Sequence, residues 1–206
     1  MITLDVKDST IKYCHKILEK VNLGTRGNHT DGTPQQQLTG LVGEISLLKY
    51  LEKPMPVFKE SYVGYDVVLN DSKLDIKTMG RTVPMQSHFV HNLLALQKNN
   101  KSDGYIFCSL NVMDHRLDVC GYIFKDDFFK KSTLFKKGQM RTRDNGTKFK
   151  IFSDLYEIKN EDIKEVNSRK QILGIKKRGA DFTPLPLSIS YQCFLVKFLE
   201  TMSYLL

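Results

Sequence analysis

The chain has 206 residues, 41% hydrophobic and 26% charged, which suits one sizeable folded core and excludes a low-complexity or disordered polymer. Its net charge of +8 and pI near 9.2 point to a polyanionic partner, nucleic acid ahead of an anionic membrane surface. Four cysteines (Cys14, Cys108, Cys120 and Cys193) form no C-x-x-C pair, and no histidine spacing completes a zinc site, so they read as reduced, buried thiols of a cytosolic protein.

In chain order, residues 9–23 have helical spacing at Ile11, Cys14, Ile17, Leu18 and Val21, with Asp8 or Ser9 available as a cap. Residues 24–34 form a polar, glycine-bearing loop that holds Arg26 and His29. A second helix is expected over 35–51, with Leu38, Leu41, Val42, Ile45, Leu48 and Leu51 as its buried stripe. Glu44 shares that stripe's flank, with Gly40 and Gly43 close beside it, where a carboxylate is costly without a cation. A short strand is expected near Val57 and Phe58.

Residues 62–79 read as strand, turn, strand. A turn around Asn70 to Lys73, centred on Asp71 and Ser72, would set Asp66 opposite Lys77 and Val68 opposite Asp75. Alternation then gathers Asp66, Asp75 and Lys77 on one face, while Tyr65, Val67, Leu69, Leu74 and Ile76 form a core surface on the other. Two carboxylates beside an ammonium make a candidate site for a hard divalent cation and for phosphodiester hydrolysis, since Mg2+ prefers one or two carboxylates plus water. The Ile76 carbonyl could add an oxygen. Lys77 could orient the attacking water, stabilise transition-state charge or act as general base. Glu44 could be a ligand or hold a metal-bound water. Cross-strand ion pairs on a solvated face, and a helix-surface Glu44, are the plain alternatives.

Residues 81–86 look like a loop, and a helix is expected over 88–97. His88 and His91 would lie three apart on it, facing DNA or serving the fold. Residues 105–112 and 117–124 are apolar runs expected as strands, with His115 in the turn between them and Arg116 near a phosphate. A short helix follows at 126–131. Residues 148–152 suggest a strand, and 160–166 one or two helical turns. Tyr62, Tyr65 and Tyr105 are packing residues with some capacity to stack on bases. Phosphate or base contacts are expected from Arg81, Gln86, His88, Lys136, Lys137, Arg141, Arg143 and Lys148. Arg169, Lys170, Lys176, Lys177 and Arg178 form a second basic segment within 167–182. Residues 185–206 are apolar, but Lys197 and Glu200 interrupt them and Pro184 and Pro186 precede them. A docked helix or oligomer contact is expected there, not a bilayer span. The N-terminus lacks a signal-peptide apolar region.

Gly40, Gly43 and Glu44 on a helix, Asp66 in a strand, and Asp75, Ile76 and Lys77 in the next resemble the PD-(D/E)XK nuclease superfamily. Asp103, Gly104 and Tyr105, then Gly121, Tyr122 and Ile123, then Asp126 and Asp127, and finally 154–158 resemble its small phage and mobile-element members. The resemblance covers roughly 35–165 and departs at Tyr65, where the family name has proline. It implies an α/β, restriction-endonuclease-like fold with a mixed central sheet flanked by helices. It also implies DNA cleavage with Mg2+, or Mn2+ in its place, by Glu44, Asp66, Asp75 and Lys77. The nuclease-like part would be 1–166, with 167–206 as basic connector and apolar end; a homodimer would supply two sites for two strands. A non-catalytic nucleic-acid-binding protein on the same scaffold and a protein-interaction module using the apolar C-terminus fit the same residues.

Overall fold

β5 (Gly104–Asn111) is the axis of the fold and is buried at every residue. β6 (Arg116–Phe124) pairs with it antiparallel, and β3 (Ser72–Arg81) lies parallel on its other side. A strand flanked on both edges and covered on both faces has no solvated side, which accounts for its mostly apolar sequence. β1 (Ile2–Asp5) and β11 (Lys164–Glu165) both add to β6, and β2 (Val67–Leu69) closes the far edge beside β3. The computed structural model describes residues 1–21, 32–56, 64–142 and 146–177. The expectations at Arg26, His29, Val57, Phe58, Tyr62, Arg143, Arg178, Cys193 and 185–206 lie outside the described residues.

One face of this mixed sheet carries helices α1 (Asp8–Leu18) and α2 (Pro34–Leu51). α2 starts at a capping box: the Gln36 N–H donates to the Thr33 hydroxyl and the Thr33 N–H donates to Gln36 Oε1, with Pro34 in the first helical position. Leu41, Val42, Ile45 and Leu48 of α2 share a core with Leu74, Ile76, Ile106, Cys108 and Leu110. α4 (Arg169–Leu173) brings Ile172, and with it Ile175, into the same core. This stretch had been expected as a basic connector. The described residues up to Lys176 form one compact unit.

The alternate residues of the sheet face a second core. Tyr105, Phe107, Cys120 and Ile123 meet Phe128 of α3 (Lys125–Lys131), together with Leu93 and Ile158. These come from a three-stranded sheet of β4 (Val90–Leu94), β10 (Leu155–Lys159) and β7 (Thr133–Phe135), in the order β4-β10-β7. β8 (Met140–Thr142) and β9 (Lys148–Lys150) form a separate two-stranded ribbon.

Several expectations are corrected. The helix expected over 88–97 is β4 followed by a 3-10 turn at Ala95–Asn99. His91 and Leu93 are buried while Asn92 is exposed, a period of two that the pairing with β10 enforces. Residues 160–166 split into a 3-10 turn at Asn160–Asp162 and β11. The hairpin turn sits at Asn70 and Asp71, not at Asp71 and Ser72. Both have positive φ (45° and 63°), which a tight two-residue hairpin demands and which Asn and Asp tolerate. Val67 therefore faces Leu74 and Val68 faces Lys73. A shift of two keeps every side chain on its face but draws Asp66 away from Lys77, back to the level of 74–76.

Candidate metal and nucleic-acid site

β3 projects Asp75 and Lys77 onto the face that also carries their parallel-register partners Tyr105 and Phe107. In the sequence reading that face is a candidate metal site, with a solvated face as the plain alternative. Tyr105 and Phe107 on that face pack against Leu93 and Ile158 of the β4-β10-β7 layer, and Asp75 is only 1% exposed. Lys77 Nζ lies 2.8 Å from Asp75 Oδ1. Asp75 Oδ2 is buried with no hydrogen-bond partner.

β2 stops at Leu69 on one side and Val67 on the other, so Asp75 to Arg81 have no strand along that edge of β3 among the described residues. Asp66 stands just beyond the end of β2. Its N–H donates to the Leu74 carbonyl at 2.9 Å, and its Oδ2 accepts the Ile76 N–H at 2.6 Å. A strand residue's N–H and C=O point to the same edge. The Ile76 carbonyl therefore opens toward the Asp66 side.

Glu44 arrives from α2. Its neighbour Gly43 lies so close to β3 that a Cβ there would meet the Thr78 hydroxyl oxygen at 2.0 Å. This contact is what carries the helix, and Glu44 with it, to the strand. Gly40 makes no such approach. The resulting electrostatics join the groups. Burial pushes the Glu44 carboxyl up to about 7, the Asp75 charge adds to the rise and Lys77 opposes it. Burial also raises Asp66 well above the ordinary aspartate range, followed by Asp75 and then Glu44, against Lys77 and the Ile76 N–H.

Among the described residues, no three His, Cys, Asp or Glu side chains are drawn together tightly enough to enclose a metal ion. Mg2+ does not require such a cage, because it keeps waters and takes one or two carboxylates. The donor set otherwise fits: all are hard oxygens, they repel one another in a buried place, and Asp75 Oδ2 is unpartnered. Asp66, Asp75 and Glu44 would hold the ion, with the Ile76 carbonyl oriented to join them.

The other candidates are dispersed. Arg81 turns inward, donating to the Val90 carbonyl at 2.6 Å and stacking on Phe89 at 4.6 Å, so it is engaged within the fold and is not offered to a phosphate. Gln86 and His88 are exposed in the following loop. His91 is not paired with His88. It is fully buried, stacked on Phe107 at 4.7 Å, with Nε2 3.1 Å from Asn160 Oδ1. Burial lowers its pKa to about 4. Lys136 pairs with Asp154 at 2.9 Å and Arg141 with Glu157 at 2.5 Å, while Lys137 and Lys148 are exposed.

Two further residues stand near the site, and the sequence marks Thr78 only as a weak neighbour of it. Thr78 forms the contact under Gly43, and Tyr105 stands beside Asp75 with its hydroxyl buried and pushed up to about 12, chiefly by burial. The sequence offers Tyr105 for packing, for base stacking and in the family resemblance, not as a neighbour of Asp75. Its place depends on a parallel pairing of strands 30 residues apart, which no local pattern reveals. Cys14, Cys108 and Cys120 are free and buried, with burial raising each thiol's pKa. No helix among the described residues is long and apolar enough to cross a membrane. No family model, no curated protein and no solved structure matches the chain.

Proposed function

We propose that this protein is a metal-dependent DNA endonuclease whose mixed sheet and flanking helices form a restriction-endonuclease-like scaffold of the PD-(D/E)XK type. The observation that carries the reading is the buried carboxylate cluster. Glu44 and Asp66 are each destabilised as anions by burial and by Asp75, and one lysine offsets only part of that charge. A fold retains such a cluster at a cost, which a bound cation would remove. The basic net charge supports a polyanionic substrate.

A divalent ion bound there, Mg2+ or Mn2+, would supply neutralisation of the phosphodiester charge and a more acidic water. The chain's own residues do the rest. Asp75 anchors Lys77 through Oδ1 and leaves Oδ2 for the ion. Asp66 is fixed by the Ile76 N–H, so its remaining oxygen has a defined direction. Lys77, one-fifth exposed, reaches outward from Asp75, where its ammonium can orient a water and stabilise charge developing on the phosphoryl oxygens. Glu44 closes the site from the helix side.

The test is incubation with supercoiled, linear, branched and single-stranded DNA in Mg2+, Mn2+ or EDTA. Asp75→Asn is expected to reduce cleavage to background and keep DNA binding in EDTA. Lys77→Ala is expected to lose about 100-fold or more in rate even at saturating Mg2+. Asp75→Asn cleaving at the wild-type rate would refute the proposal. Salt-sensitive binding without any metal-dependent product would leave a binding protein on the same scaffold.

A further inference from the structure

The β8–β9 ribbon has two unlike faces. Its pairs are Met140 with Lys150, Arg141 with Phe149, and Thr142 with Lys148. Cross-strand partners share a face, so Met140, Thr142, Lys148 and Lys150 lie together and Arg141 with Phe149 lie opposite. The Arg141 face is tied down. Its guanidinium donates to Glu157 Oε1 of β10 through Nε at 3.2 Å and a terminal nitrogen at 2.5 Å, and it stacks over Phe135 of β7 at 5.2 Å. The ribbon's base is fixed as well. The Gly138 N–H donates to the Ile151 carbonyl at 2.7 Å, the Ile151 N–H donates to the Gln139 carbonyl at 2.8 Å, and Ile151 is buried.

The outer face is different. All four of its residues are exposed, and neither Lys148 nor Lys150 has an acidic partner among the described residues. Met140 is 62% exposed, and Phe152, two residues past the ribbon, is 81% exposed. The nearby cations Lys136 and Arg141 are neutralised by Asp154 and Glu157. Among the described residues of the ribbon, the charge without an acidic partner therefore lies on the outward face, with Met140 exposed beside it. A two-stranded ribbon fits the major groove of a duplex, where lysines meet phosphates and apolar atoms meet base edges.

We propose that the outer face of the β8–β9 ribbon docks double-stranded DNA, with Lys148 and Lys150 on phosphates and Met140 and Phe152 on the groove wall. This rests on the nuclease reading for the identity of the polyanion and names duplex as the substrate class. The anchored inner face makes the ribbon a rigid element, so contact costs little ordering entropy.

The experiment measures binding of a blunt duplex, and of its separated strands, across a salt series in EDTA, where no metal-dependent cleavage interferes. For Lys148→Ala/Lys150→Ala, the slope of log affinity against log salt is expected to fall by about 1.8 for duplex, two phosphates' worth of released counterions. Met140→Ala and Phe152→Ala are expected to weaken duplex binding with the slope unchanged. These surface variants should keep the wild-type unfolding midpoint. An unchanged slope in the lysine variant overturns the proposal. Tighter binding of single strands, lost on Phe152→Ala, overturns it too, because stacking on unpaired bases would then explain the aromatic. Cleavage assays run alongside separate the two readings. A protein that never cleaves but shows the slope change sinks only the nuclease, and one that cleaves with an unchanged slope sinks only the ribbon.

Discussion

Alanine substitutions at Gly43 and Gly40, three residues apart on one helix, should have opposite effects. Each replaces glycine within α2, and each gains about 0.5–1 kcal/mol from the lower conformational freedom of the unfolded chain and better helix propensity. At Gly40 the new methyl meets nothing within 4 Å, so that gain stands. At Gly43 it would meet Thr78 Oγ1 at 2.0 Å and both Thr78 Cβ and Cγ2 at 2.7 Å. Rotating the threonine moves Oγ1 and Cγ2 but not Cβ, which the β3 backbone fixes. Relief therefore requires the helix to move off the strand, and overpacking of this kind costs about 3 kcal/mol. The net expectation is a loss of about 2 kcal/mol for Gly43→Ala, separated from Gly40→Ala by about 3 kcal/mol. Thermal unfolding should show that as a gap of roughly 6–12 °C in a domain of this size. Thr78→Ala, which removes Oγ1 and Cγ2, should recover part of the loss in the double variant. Equal midpoints for the two alanine variants would refute the claim that this contact sets the distance between Glu44 and β3.

The remaining predictions concern charge. Glu44 and Asp66 bind protons more tightly folded than unfolded, so their contribution to stability is present at acid pH and is lost as pH rises through the folded value. For Glu44, moved from 4.5 to about 7, the effect is on the order of 3 kcal/mol, and Glu44→Gln should flatten the fall in unfolding midpoint between about pH 5 and about pH 8. Saturating Mg2+ should stabilise the wild type more at the alkaline end, by about 2.7 kcal/mol at a hundredfold excess over Kd, and Asp75→Asn should abolish that gain in calorimetry. His91 has the opposite sign. Its folded value of about 4 lies below the ordinary 6.5, so its contribution is present above 6.5 and is lost as pH falls through 4. An NMR titration of the His91 ring with a midpoint near 6.5 would contradict the buried, Asn160-bonded placement.

How far the sequence carried the fold depends on how local each cause is. α2 was readable because its buried stripe is written within one short stretch, and β5 and β6 because burial leaves runs that are mostly apolar, broken only by single polar residues such as Ser109 and Asp118. β4 was misread as a helix because Leu93, Leu94 and Leu96 satisfy either period over so few residues; only pairing with β10, some 60 positions later, selects the strand. The hairpin's register was misread by two because Asn70 and Asp71 accept left-handed backbone more readily than the Asp71–Ser72 pair that was expected to turn. That error did not disturb the site, since a shift of two preserves faces. The larger surprise is that both faces of β3 are covered. A strand in that position would be most stable with apolar side chains at 75 and 77, as at 74 and 76. Asp75 and Lys77 stand where packing favours valine, and Asp66 and Glu44 gather against them despite the mutual repulsion. Packing alone gives no reason for four ionisable groups to converge on a covered strand. The proposed cation and phosphodiester substrate would give one, and the pH and Mg2+ dependence of stability measures whether the cost is relieved as that proposal requires.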